Sequence, residues 1–251
     1  MAMEKKLNLV VDMGNTLTKI AVIDSNNHVV AQWSKPQVSE EELATITAEY
    51  APARAIVAST RGGEEQLCEV LRQRVDYVLC MSPQTAVPIG IDYATPQTLG
   101  ADRVALAVGA VKLYGAEDML LVDFGTAITI DAVEEGVFRG GNISLGVGSR
   151  FRALHEYTAH LPLCEAAEVS ARLGESTRTA IEQGVMRGVL YEIEGYVRDF
   201  RAKNPQMRII FSGGDAKCFV NRIKNAIFAN CNMMYIGLNA ILEYNAAKEI
   251  I

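Results

Sequence analysis

The sequence has neither of the usual glycine-rich nucleotide cradles: there is no G-x-x-x-x-G-K-[S/T] phosphate loop and no G-x-G-x-x-G following a strand. Any nucleotide would have to be gripped by hairpins instead. Cysteines are few and scattered, and Cys68, Cys80, Cys164, Cys218 and Cys231 form no C-x-x-C pair. That spacing argues against a zinc site or a disulfide framework and predicts free thiols in a reducing cytoplasm. No apolar run approaches the ~18 residues of a membrane span. The longest, Val104 to Val111, stops at Lys112. Lys5 and Lys6 could open a signal peptide, yet Asn8 and Asp12 interrupt the segment that follows, so a cytoplasmic location is expected. Basic charge is also short, with 24 Lys plus Arg against 30 Asp plus Glu and a net charge of −6. Such a surface offers no electrostatic footprint for nucleic acid or an anionic membrane, and neither is expected as a partner. A local nest of backbone N–H groups can still hold phosphate on an acidic protein.

What is present suffices for a real core. At ~150 residues per domain, 251 residues make two small domains or one large one, and 49% of them are hydrophobic. The chain opens with an apolar run, Leu7 to Asp12, then a turn at Gly14-Asn15 and a second strand from Leu17 to Ile23. His28 to Trp33 reads as a third strand. Ser39 is placed to cap a helix, with Glu42 completing a capping box. Ala55 to Ser59 reads as a strand, Glu64 to Gln73 as a helix and Asp76 to Cys80 as another strand. Pro83, Pro88 and Pro96 mark a segment without regular structure, and a buried helix follows from Asp102 to near Gly115.

The opening pattern then returns. Val11-Asp12-Met13-Gly14-Asn15-Thr16-Leu17-Thr18 is echoed by Val122-Asp123-Phe124-Gly125-Thr126-Ala127-Ile128-Thr129. Gly136 and Gly140-Gly141 mark turns before and within a third strand of this second copy. Arg208 to Phe211 runs into Ser212-Gly213-Gly214, weakly similar to Ala55 to Arg61. Long helices are expected over Ser176 to Lys203 and Tyr235 to Lys248. Gly184, Gly188 and Gly195 weigh against an unbroken first helix, since each costs ~1 kcal/mol relative to alanine. Duplication of a three-strand-plus-helix unit explains the length and predicts two α/β domains, 1–115 and 116–251, facing each other across a cleft.

An acid at a strand end followed at once by a glycine turn suits phosphate chemistry. Gly14 would let the backbone approach a ligand and take positive φ, turning neighbouring N–H groups toward phosphate oxygens. Asp12 can hold a water of hydrated Mg²⁺, Thr16 and Thr18 offer hydroxyls, and Lys19 a positive charge. The plain alternative is a β-hairpin whose Asp, Gly and Asn serve only the turn. Two copies favour the ligand-binding reading, because paired hairpins can grip a polyphosphate from both sides.

Three segments together resemble the motifs of the type III pantothenate kinase family. They are Asp12-Met13-Gly14-Asn15-Thr16-Leu17-Thr18-Lys19, Gly100-Ala101-Asp102-Arg103, and Asp123-Phe124-Gly125-Thr126-Ala127-Ile128-Thr129-Ile130-Asp131. That family belongs to the acetate and sugar kinase, Hsp70 and actin superfamily, and the similarity extends through Gly90 to Arg103 and Gly140 to Gly148. The resemblance implies an α/β fold of two duplicated ribonuclease H-like (actin-like ATPase) domains. It implies ATP-dependent phosphorylation of pantothenate, with Mg²⁺ on the nucleotide. Asp12, Met13, Gly14, Asn15, Thr16, Leu17, Thr18 and Lys19 would form the first ATP phosphate loop, and Thr126 would contact ATP from the second. Asp123 would help bind a monovalent cation, potassium or ammonium. Asp102 would be the catalytic base. Tyr93, Gly100, Ala101, Asp102 and Arg103 would line the pantothenate site, and Thr177 would reach it from the other protomer of a homodimer.

The residues support this chemistry on their own terms. Transfer to a primary alcohol needs the hydroxyl in line with the γ-phosphate and an acceptor for its proton, which a carboxylate within ~3 Å can be. Arg103 would keep Asp102 ionised or fork onto a substrate carboxylate. The competing role for Asp102 is an N-cap of the helix that follows, and the two can coexist. Rival functions are another small-molecule kinase or phosphatase of the superfamily, or a regulatory protein on the same fold. His155 and His160 stand i, i+5, not the i, i+4 of a zinc-protease helix. Cys80 and Cys218 read as core thiols, Ser39 to Glu49 as a solvated helix face, and Gly146-Val147-Gly148-Ser149 as either a substrate-proximal turn or the start of a helix.

Overall fold

The computed structural model describes residues 6–168, 172–224, 226–228 and 232–249. The chain forms two compact units. The first contains β1 (Asn8–Met13), β2 (Thr18–Ile23), β3 (Val29–Lys35), α1 (Glu40–Tyr50), β4 (Arg54–Ser59), α2 (Glu64–Arg72), β5 (Tyr77–Cys80), β6 (Gly90–Ile91) and α3 (Ala101–Tyr114). The second contains β7 (Met119–Phe124), β8 (Ala127–Glu134), most of β9 (Val137–Leu145), α4 (Val147–Glu156), α5 (Thr177–Lys203), β10 (Arg208–Ser212) and β11 (Ala226–Phe228). The last helix, α6 (Asn232–Glu249), belongs to the first unit, as does the opening of β9, whose Val137 and Phe138 pair in parallel with Gly90 and Ile91.

The duplication read from sequence is present in the strand order. The first sheet runs β3-β2-β1-β4-β5, and the same order, β9-β8-β7-β10-β11, recurs in the second. In each, an antiparallel hairpin lies beside a parallel strand, so the first strand is central and buried along its length. All six residues of β1 are buried, which is why it reads as an unbroken apolar run ending in an acid. Residues alternate faces along it: Leu9, Val11 and Met13 enter a core with Leu43, Val57 and Leu71. Phe124, Phe211 and Phe219 centre the second core, with ring centroids 5.0 and 5.2 Å apart.

Local signals fold as expected where their chemistry is local. Ser39 accepts from the Glu42 amide while the Glu42 carboxylate accepts from Ser39 N–H, the reciprocal cap predicted for α1. The helix α5 is unbroken despite its three glycines. A buried stripe of Ile181, Val185, Met186, Val189, Ile193 and Val197 holds it, and that burial outweighs the glycine penalty. The proline-punctuated segment carries the two-residue β6 and a single 3₁₀ turn, Pro96–Thr98.

One expectation needs adjustment. Cys68 and Cys80 are not free thiols: they form a disulfide joining α2 to β5, with Cα atoms 6.1 Å apart. Packing of α2 on β5 brings the two cysteines together, which no local spacing rule reveals. Cys164 and Cys218 are free, and Cys231 lies outside the described residues. The last helix, α6, packs on α3 of the first unit.

The α3–α6 contact is made possible by glycine. A Cβ at Gly237 would overlap the Ala105 carbonyl oxygen, and one at Gly109 would overlap that of Met233. Polar ties anchor α6 as well. Asn8 donates to Asn239 (2.8 Å) and Glu243 (2.6 Å), Asn239 donates to Asn27 (3.0 Å), and Arg54 pairs with Glu243 (2.6 Å). Gly237→Ala is therefore expected to lower the unfolding free energy by about 3 kcal/mol, at the upper end of overpacking costs. Urea denaturation of the variant checks this, and unchanged stability would show that the two helices have room to spare.

Candidate active site

The first hairpin is a four-residue exposed loop, Gly14 to Leu17, closing the β1–β2 pair after Met13 and Thr18. The Gly14 N–H donates to the Leu17 carbonyl at 3.1 Å. Gly14 is not needed for positive φ, as the sequence had suggested: its φ is not in that region. It is needed for proximity, since a Cβ would stand 3.2 Å from the Leu17 oxygen. Beneath the loop Asp12 is buried, and its cross-strand partner is Lys19, so acid and ammonium share one face of the sheet. Thr18 is buried with 1% of its surface exposed, while Asn15, Thr16 and Leu17 face solvent. A buried carboxylate under a hairpin whose loop carries the Thr16 hydroxyl and whose second strand carries the Lys19 cation is a donor set that fits a phosphate chain with a hydrated Mg²⁺.

The second hairpin repeats the plan with different bracing. Asp123 on β7 is half-buried and lies across from Thr129 on β8 and Ser212 on β10. Gly125 N–H donates to the Ala127 carbonyl at 3.0 Å, and a Cβ on Gly125 would come 3.6 Å from an Asp123 carboxylate oxygen. The glycine thus keeps space open beside that carboxylate, a hard oxygen donor suited to a small cation. Thr126 is exposed at the tip. Its carbonyl accepts from Gly146 N–H (3.0 Å) and from the Ser149 hydroxyl (2.7 Å), so Gly146 to Ser149 forms the start of α4 braced on the hairpin. From the other side Gly213, at φ +93°, fits where a Cβ would overlap the Phe124 backbone, and the Asp215 N–H reaches the Phe124 carbonyl at 3.3 Å. Burial raises the Asp215 carboxyl above its usual range, with Lys217 opposing.

Asp102 lies in the first turn of α3, where a negative charge is favoured by the helix dipole. It is not the N-cap, because Gly100 holds that position and α3 begins at Ala101. One Asp102 oxygen accepts the Arg103 N–H at 2.8 Å. A side chain on Gly100 would come 2.5 Å from that same oxygen, so glycine is required to leave the carboxylate its place. Arg103 is 5% exposed, with its guanidinium 5.7 Å from the Tyr93 ring centroid and 5.5 Å from that of Phe138. Tyr93 and Phe138 meet edge-to-face at 5.9 Å. Strand pairing fixes this cage: the Asp92 N–H donates to the Phe138 carbonyl at 2.9 Å, continuing the β6–β9 ladder into Tyr93.

The structure thus brings Tyr93 against Arg103, beside Gly100, Ala101 and Asp102, in the first unit, to which the Asp12–Lys19 hairpin also belongs. Asp123, Thr126 and Thr177 belong to the second. Thr177 is the first residue of α5, exposed, directly after the Ser176 cap. Phe138 was not found from sequence; it stands 35 residues beyond Arg103 and only the β6–β9 pairing makes them neighbours. His155 lies on α4, its Nδ1 2.8 Å from the Leu161 carbonyl, and His160 falls beyond the helix end. No cluster of three metal-ligating side chains occurs among the described residues. A desolvated cation between two rings should be coupled to them. A double-mutant cycle of Arg103→Met with Phe138→Leu is expected to give an interaction energy of about 1–2 kcal/mol in denaturant unfolding. Strict additivity would mean that Phe138 only fills space.

Comparison with known proteins bears directly on this geometry. The family model described as type III pantothenate kinase matches residues 8–199. A type III pantothenate kinase of Bacteroides fragilis (strain YCH46) is 37% identical over 243 residues, covering 96% of this chain and all of that one. One from Porphyromonas gingivalis (strain W83) is 38% identical over 242 residues, covering 95% and 98%. Among solved structures, a ROK family glucokinase from Streptomyces griseus, in complex with glucose and AMPPNP, superposes with a TM-score of 0.57 at 12% identity, covering 95% of this chain and 99% of that one. The activator of 2-hydroxyisocaproyl-CoA dehydratase from Clostridium difficile, with bound ADPNP, also gives 0.57 at 12% identity, covering 98% of each. At such identities the structures speak for the fold alone, two ribonuclease H-like domains of the actin-like ATPase type. The sequence matches speak for more: the chain belongs to the type III pantothenate kinase family.

Proposed function

We propose that this chain transfers the γ-phosphoryl group of ATP to the primary alcohol of pantothenate, the first step of coenzyme A biosynthesis. Family membership over residues 8–199 carries this reading. The local chemistry supports it, with a carboxylate at Asp102 set beside an aromatic-caged cation in the first unit. Asp102 would accept the proton of the acceptor hydroxyl. Tyr93, Gly100, Ala101 and Arg103 would position the pantothenate. Because phosphoryl transfer has a loose transition state, placement and charge neutralisation contribute more than proton abstraction.

The first ATP phosphate loop would be Asp12 to Lys19, with Thr126 a contact from the second hairpin. Asp12 would hold a water of the hydrated Mg²⁺, and Asp123 would bind potassium or ammonium. Bound Mg²⁺ supplies neutralisation of the phosphate charge. We further propose a homodimer in which Thr177 reaches the partner's substrate. The second unit exposes Ile143, Leu145, Tyr157, Leu163 and Tyr191, apolar area of the kind a subunit interface covers. The duplicated sequence halves are proposed to divide at 115/116. A cytoplasmic location fits an ATP-dependent kinase in whose described residues no helix is long and apolar enough to cross a membrane. The Cys68–Cys80 bond pulls the other way, since a reducing compartment works against disulfides.

A coupled ADP-release assay across pantothenate, sugars and short-chain acids tests the substrate. Turnover is expected with pantothenate, and turnover with a sugar alone would overturn the reading. Asp102→Asn is expected to lose about a hundredfold or more in kcat. Its unfolding free energy should fall by no more than about 1 kcal/mol, because an amide oxygen can still accept the Arg103 N–H and only the charge–dipole interaction is lost. In buffer free of potassium and ammonium, activity should fall and return on adding either ion. Full activity without them would remove the role given to Asp123.

A further inference from the structure

We propose that Arg61 is a positioning residue for the nucleotide, fixing the Thr18 hydroxyl and adding a second cation at the strand end that carries Lys19; this rests on reading Asp12 to Lys19 as the ATP phosphate loop. Parallel pairing of β4 with β1 sets the loop after Ser59 beside that hairpin, and the Thr60 N–H donates to the Met13 carbonyl at 3.1 Å. The Ser59 hydroxyl accepts from the Arg61 N–H (3.2 Å) and donates to the Gly62 carbonyl (3.1 Å). Gly62 and Gly63, at φ +79° and +82°, complete the turn. Arg61 is exposed, yet its guanidinium is pinned at both ends. Nη2 donates to the Thr18 hydroxyl oxygen at 2.8 Å and Nη1 to the Pro36 carbonyl at 3.3 Å.

The consequence is positional: the guanidinium locks the buried Thr18 side chain at the root of the phosphate loop, and so holds the loop against the turn after β4. Arg61 uses two of its five N–H groups in these bonds, which leaves donors and a full positive charge at the hairpin. Charge spreads over the equatorial oxygens of the transferring group, so fixed cations near the phosphates favour transfer. The second copy has the same brace without the cation. There the Asp215 N–H meets the Phe124 carbonyl, but Ser212-Gly213-Gly214-Asp215 carries no arginine.

Steady-state kinetics of the full chain, with ATP and pantothenate varied separately, test this. Arg61→Ala is expected to raise the KM for ATP about tenfold, the scale of one charge-assisted hydrogen bond. The KM for pantothenate should stay within about twofold. Arg61→Lys should recover only part of the loss, since an ammonium cannot hold both acceptors in the fork geometry. In a Thr18→Val background the effect of Arg61→Ala should shrink. An ATP KM close to the unmodified chain, a rise confined to pantothenate, full rescue by lysine, or independence from Thr18 would each overturn the proposal. If Arg61 merely tethered two loops, Arg61→Ala would lower the melting temperature and leave the ATP KM alone. Lys19→Ala separates the two levels of inference. If it raises the ATP KM while Arg61→Ala does not, only Arg61 is at fault; if neither does, the hairpin assignment falls.

Discussion

The site depends on parallel pairing between the first and fourth strands. β1 and β4 run side by side from Asn8 opposite Arg54 to Met13 opposite Ser59, so their carboxyl ends finish together. The antiparallel return of β2 then brings Thr18 and Lys19 to the same end. A buried acid from β1, a hydroxyl and an ammonium from β2, and a guanidinium from the turn after β4 gather at that end of the sheet. Open α/β sheets collect ligands at such strand ends because loops can diverge there while the sheet stays fixed. The second copy builds the same end from β7, β8 and β10.

The two copies diverge in what steadies each hairpin. The first is held by hydrogen bonds from the loop after β4, with side chains completing the brace. The second is held by backbone contact: Gly146 lies against Thr126 and Gly213 against Phe124, at separations where no side chain fits. One design leaves room for added functional groups, and the other gives a tighter, plainer support. Duplication followed by such divergence accounts for why Asp12 faces Lys19 while Asp123 faces Thr129.

Much of this was legible in the sequence because the signals are local. An acid closing an apolar run, a glycine after it and hydroxyls beyond it mark both hairpins, and the Ser39–Glu42 cap marks α1. Relations across the chain were not legible. The Cys68–Cys80 bond needs α2 packed on β5, and Phe138 joins Tyr93 at the Arg103 side chain through the β6–β9 pairing. The glycine at position 14 was read for both close backbone approach and positive φ, and only the second is absent, since the two needs leave the same letter in a sequence. Asp102 was read as a possible cap for a similar reason: Gly100, which caps without a side chain, gives no sign of doing so.

The glycine-mediated seating of α6 against α3 also bears on how the chain matures. The helix that completes the first unit is synthesised only after every residue of the second. Until then Ala105 and Gly109 have no covering partner and the amino-terminal sheet lacks one of its layers. The order of synthesis and the order of completion therefore run in opposite directions, and a nascent chain stalled before Gly237 would present a finished-looking hairpin on an unfinished body.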